Sequence, residues 1–86
     1  MKLISQSAVL ATFLFSATLN ASPVNINTAS ASDIAKSLSG IGMSKAQQVV
    51  KYRQKNGNFQ NAADIVLVKG IGSSTYEKNK ADILIK

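Results

Sequence analysis

Two short runs in this chain carry backbone groups suited to holding an anion, Gly40-Ile41-Gly42 and Gly70-Ile71-Gly72. Each sets two glycines around one apolar residue, and each has a lysine nearby: Lys45 after the first run, Lys69 before the second. Glycine adopts backbone angles closed to residues with a Cβ, so the chain can reverse tightly between two helices there. Both glycines of each run are expected to use that freedom. With Ile41 and Ile71 turned into the core, the glycine N–H groups would face outward beside the start of the following helix. Uncovered amides at the positive end of a helix dipole suit a phosphate oxygen. The plain alternative is a pair of tight connections, since any αα-hairpin uses glycine. Duplication of the run, each copy beside a lysine in a basic chain, favours the anion site.

The rest of the composition narrows the chemistry. The 86 residues contain no His and no Cys, so there is no imidazole base, no thiolate nucleophile and no ordinary zinc site. Asp33, Asp64, Glu77 and Asp82 are scattered along the chain, which argues against a carboxylate-held metal. No nucleophile–base pair can be drawn, so an enzyme is not expected, nor any cofactor. Ten Lys and Arg against four acids give a net charge of +6, pointing to a polyanion: nucleic acid or an anionic membrane surface. Tyr52, Phe59 and Tyr76 have helical surroundings and read as core or core-edge residues rather than stacking platforms.

The elements that must position these residues repeat. Leu38-Ser39-Gly40-Ile41-Gly42 recurs thirty positions later as Val68-Lys69-Gly70-Ile71-Gly72. Before each glycine pair stands a short amphipathic segment, with Ile34, Ala35 and Leu38 in one copy and Ile65 and Val68 in the other. Four capping pairs mark four helix starts: Ser30 with Asp33, Ser44 with Gln47, Asn61 with Asp64, Ser74 with Glu77. If Ser44 and Ser74 cap their helices, they occupy amides that a phosphate would use, leaving mainly those of the turns. The helix through Ala46, Val49, Val50 and Arg53 should end near Gly57, a suitable left-handed C-cap. Residues 57–60 then form a linker with Phe59 as a plug between copies. Asn79 stands where the first copy has Val49, which predicts a weaker apolar face for the last helix. No alternating strand pattern occurs. The fold class is all-α, two helix-turn-helix units in one domain.

Residues 1–21 read as a cleaved signal peptide, with Lys2, an apolar stretch from Ala8 to Leu19, and Ala21 at the cut. The alternative is an uncleaved anchor, but a spanning helix needs roughly 20 mostly apolar residues and this run is shorter. Cleavage would leave residues 22–86 as the domain, outside the cytoplasm, and would lower the net charge to +5 by removing Lys2. A domain that small buries only about 60% of its unfolded surface, so its stability must come from close helix packing.

Taken together, Val24-Asn25-Ile26-Asn27-Thr28-Ala29, the two Gly-Ile-Gly hairpins and Tyr52-Arg53 resemble the ComEA-type helix-hairpin-helix domain, over residues 24–84. The resemblance implies two tandem helix-hairpin-helix units that bind double-stranded DNA without sequence preference, in the periplasm, during natural transformation. It implies phosphate contacts at Gly40, Ile41, Gly42, Ser44, Lys45, Lys69, Gly70, Ile71, Gly72 and Thr75. It also raises an inner-membrane DNA-uptake channel as a candidate partner; many relatives carry an N-terminal membrane anchor, whereas the leader read here implies no stable one. The chain departs from the family at Ser39 and Met43, where proline is usual, and at Asn79, where an apolar residue is expected. Two other readings compete: a protein-interaction scaffold on the same fold, and a peripheral protein of anionic membranes.

Overall fold

The computed structural model describes residues 22–86, so the signal-peptide reading of residues 1–21 lies outside the described residues. Strand β1 (Val24–Asn25) is followed by helix α1 (Ala31–Ser37), the first hairpin and helix α2 (Met43–Asn56). A 3-10 helix (Ala62–Leu67), the second hairpin and helix α3 (Ser73–Asn79) repeat the arrangement. A 3-10 turn (Lys80–Asp82) and strand β2 (Ile83–Leu84) end the chain. The fold is all-α apart from those two short strands. Among the described residues no helix is long and apolar enough to cross a membrane.

The apolar spacing read from the sequence is the spacing that packs. Ile34 and Leu38 in the first copy and Ile65 and Val68 in the second are all buried. Ala46 and Val49 of α2 lie between them, and Ile41 and Ile71 are turned inward from their hairpins. Each large side chain so buried contributes roughly 1.5–3 kcal/mol. Phe59 is buried in the core and stacks on Tyr52, with ring centroids 5.1 Å apart. A reciprocal pair fixes this linker: the Phe59 N–H donates to Asn27 Oδ1 at 2.7 Å, and Asn27 Nδ2 donates to the Phe59 carbonyl at 3.2 Å. The Arg53 guanidinium donates to the Ile26 carbonyl at 2.9 Å, tying α2 to the chain before α1.

Four local expectations need correction. Ser30 does cap α1, accepting from the Asp33 N–H at 3.1 Å. Ser44 and Ser74 cap nothing: α2 and α3 begin two residues earlier than a serine cap would require, with Gly42 and Gly72 at the cap and no side-chain cap bond. Serine favours a cap, but in each copy the extended backbone at the second glycine has already started the helix. Asn61 holds the N-cap position, yet only its carbonyl is used, by the Asp64 N–H at 3.1 Å. The segment it opens is 3-10 rather than α, and its six residues make it a long run for that tighter helix. Gly57 does end α2 with φ of +89°, a region that favours glycine, but its ψ of 179° lies outside the left-handed helical range.

The sequence also gave no sign of the strand pair. Val24 pairs with Ile83 and Asn25 with Leu84, in parallel. The Ile26 N–H extends the ladder to the Leu84 carbonyl at 3.1 Å, and the Lys86 N–H reaches Asn25 Oδ1 at 3.3 Å. Two residues per strand cannot show a period of two.

Candidate nucleic-acid interface

The first glycine of each hairpin is the one that needs to be glycine. Gly40 and Gly70 have φ of +76° and +92°, a region that L side chains rarely adopt. Gly42 and Gly72 have φ of −82° and −103°, open to any residue. The expectation that both glycines use restricted angles is therefore corrected. Their second role survives: a Cβ built on Gly42 or Gly72 would meet nothing within 4 Å, so the backbone there is open on its outer side.

The missing serine caps remove a competitor for the amides. The first helical bond of α2 runs from the Ala46 N–H to the Gly42 carbonyl at 2.9 Å, and that of α3 from Tyr76 to Gly72 at 3.1 Å. The N–H groups of Met43, Ser44 and Lys45 thus precede the ladder of α2, as those of Ser73, Ser74 and Thr75 precede that of α3. No side chain caps either end. In the second turn the Ile71 N–H is already used, donating to the Val68 carbonyl at 3.1 Å. Ile41 and Ile71 hold the turns to the core with their side chains.

The two hairpins lie next to each other through Lys45. A Cβ on Gly70 would lie 3.6 Å from Cγ and 3.8 Å from Cε of Lys45, so the stem of a first-unit lysine covers the second-unit turn. Sequence proximity had assigned Lys45 to the hairpin before it. Lys69, assigned to the second turn, lines a groove with Gln48, Lys51, Tyr52, Lys55, Asn56 and Leu67. Ser44 is exposed at the start of α2, and Thr75 is half-buried at the start of α3, where its carbonyl accepts from Asn79 Nδ2 at 2.9 Å.

Asn79 is the residue whose role the sequence concealed. It is fully buried, and its carboxamide reaches the first hairpin: Oδ1 accepts from the Ser39 N–H at 2.7 Å and Nδ2 donates to the Ser39 carbonyl at 2.8 Å. The predicted weak face of the last helix is instead a polar bolt between the units. The counterpart Val49 packs as an ordinary apolar residue. Glu77, expected in a capping box, pairs instead with Lys80 at 2.9 Å. Glu77 accepts a hydrogen bond from Lys80, and that bond, with the carboxylate charge, holds the ammonium pKa above its ordinary value.

Paired turns on Gly-Ile-Gly, closed over one core and bolted together, define a tandem helix-hairpin-helix domain. Comparison with known proteins agrees. A family model described as the helix-hairpin-helix motif matches residues 19–84. The chain is 46% identical over 63 residues to ComE operon protein 1 of Bacillus subtilis, spanning 73% of this chain and 30% of that protein. It is 56% identical over 61 residues to an uncharacterized protein of Haemophilus influenzae, spanning 71% of this chain and 54% of that one. It is 33% identical over 67 residues to human endonuclease/exonuclease/phosphatase family domain-containing protein 1, of which it spans 12%. The chain belongs to the ComEA-type helix-hairpin-helix family.

Proposed function

We propose that this domain binds double-stranded DNA through its phosphate backbone, without sequence preference, and serves DNA uptake in natural transformation. The observation that carries the reading is the adjacency of the two hairpins, with the Lys45 stem laid over Gly70 and uncapped amides at the start of α2. Two backbone anion sites held at a fixed separation suit a polymer of phosphates better than an isolated anion. The net charge, +6 on the full chain and +5 without residues 1–21, supplies the long-range attraction. No side-chain constellation of Arg, Asn and Gln presents itself to base edges, so recognition rests on shape and phosphate.

Membership of the ComEA-type family supports the role in uptake. In that role, each molecule loaded onto an entering duplex hinders its backward diffusion and turns thermal motion into net import. The place of action we propose is the periplasm, reached through the leader read in residues 1–21, with the inner-membrane uptake channel as the receiving partner. The activity is binding rather than catalysis, consistent with a chain that has no His and no Cys.

A mobility shift with duplex DNA over a range of salt concentrations tests the reading. We expect binding that weakens steeply as salt rises. Absence of any duplex binding at low salt would leave the fold as a protein-interaction scaffold.

A further inference from the structure

Away from the turns, a groove of about 240 Å³ runs between α2 and the approach to the second hairpin. Gln48, Lys51, Tyr52 and Lys55 form one wall, and Leu67 and Lys69 form the other. Three ammonium groups therefore share this groove, and no carboxylate lines it. Among the described residues the recorded ion pair is Lys80 with Glu77, elsewhere on the surface.

That concentration carries a cost. Lys51 and Lys55 stand at i,i+4 on α2, a like-charge spacing that destabilises an isolated helix by a few tenths of a kcal/mol. The groove is also continuous with the hairpin surface. Lys69 directly precedes Gly70, and Gly70 is covered by Lys45 from the same helix that supplies Lys51 and Lys55. Positions 45, 48, 52 and 55 follow one another at intervals of three and four, so they share a face of α2. From Lys45 to Lys55 that face rises about 15 Å, at about 1.5 Å per residue. Successive phosphates on one strand of B-form DNA rise about 3.4 Å along the duplex axis, so the face is long enough to meet more than one.

We infer that this groove is a second backbone track, in which Lys51, Lys55 and Lys69 hold phosphates of the same duplex that the second hairpin engages. The inference rests on the reading of the domain as a duplex-binding protein. It divides the labour of the lysines differently from their order in the chain. Lys45 serves the second turn, whereas Lys69 serves the groove. Gln48 adds an uncharged donor beside them.

The competing occupant is an acidic segment of a protein partner, which would use the exposed Leu67 as an apolar ledge. A duplex phosphate track has no use for that side chain.

The test is binding of a labelled duplex by fluorescence anisotropy across a salt series, with the unaltered protein, Lys51→Ala/Lys55→Ala, Lys45→Ala and Leu67→Ser. Removing the like-charge pair should leave α2 intact or slightly more stable by circular dichroism, so lost affinity would not reflect unfolding. The double lysine variant should bind roughly tenfold more weakly. Its slope of log K against log salt should be shallower by about 1.8, for two phosphates no longer neutralised. Leu67→Ser should bind as the unaltered protein does. Unchanged affinity and slope in the double variant, with Lys45→Ala impaired, would overturn the track and leave the groove to a protein partner. Failure of the unaltered protein to bind any duplex would overturn the underlying function instead.

Discussion

Ser39 and Asn79 are bound to each other by two hydrogen bonds across 40 residues of sequence, the N–H and the carbonyl of Ser39 both meeting the Asn79 carboxamide. These are also two of the positions at which the resemblance read from the sequence leads one to expect other residues, proline at the first and an apolar residue at the second. A proline has no N–H to give, and an apolar side chain has nothing to accept it with. The two departures are one device, joining the last helix to the first hairpin. Replacing Asn79 by Leu should cost about 1–3 kcal/mol by leaving Ser39 without partners. Adding Ser39→Pro to that variant should cost less than in the native background. Urea denaturation of the single and double variants measures the coupling, and strict additivity would show that the two positions act independently.

The hairpin glycines should separate into two classes. Gly40→Ala and Gly70→Ala force a side chain into positive φ and should destabilise by about 1 kcal/mol or more. Gly42→Ala and Gly72→Ala face open space at an ordinary φ and should fold with near-native thermal stability. Any binding lost in the second pair then reports on the approach of phosphate to the turn. Equal melting temperatures for all four variants would contradict the division.

Unrelated duplexes of equal length should compete for the protein with affinities within a few-fold of one another. Phosphate contacts fix register but carry no base information. Longer duplexes should compete better because they offer more overlapping sites. A strong preference for one sequence in a competition assay would require a base-reading side chain that neither hairpin provides.

Salt dependence should reveal the number of phosphates engaged. If the hairpins and their lysines neutralise about 4 phosphates, log K should fall against log salt with a slope near −3.6, and the groove lysines would steepen it. Lys45→Ala and Lys69→Ala should each cost on the order of 1 kcal/mol, and together flatten the slope by roughly 2. Titrations at several potassium chloride concentrations decide this. A slope near zero would mean that the charge of the domain is not used on DNA.

Much of the fold was legible because it was written twice. The thirty-residue offset located both hairpins, the inward Ile41 and Ile71, and the apolar face through Ile34 and Leu38. Phe59 stood out as the large apolar residue in a polar linker, and it is buried in the core against Tyr52. Asn79 was concealed by the same repeat. Alignment with Val49 makes a polar residue look like a weakened core position, and its partner Ser39 lies too far along the chain for any local pattern to join them. Sequence nearness joined Lys45 to the first hairpin, and only the packing shows that its stem also lies over the second. The helix starts failed differently, because capping preference competes with where extended glycine backbone begins the turn.

The parallel pairing of Val24 with Ile83 and Asn25 with Leu84 has a mechanical consequence. Because the strands run the same way, the chain enters β1 at one end of the ladder and leaves β2 at the other. A pull applied between the two tails therefore acts along the strands and across their hydrogen bonds, so it strains the rungs together. Antiparallel strands entered and left at the same end would instead open like a zip, one rung at a time.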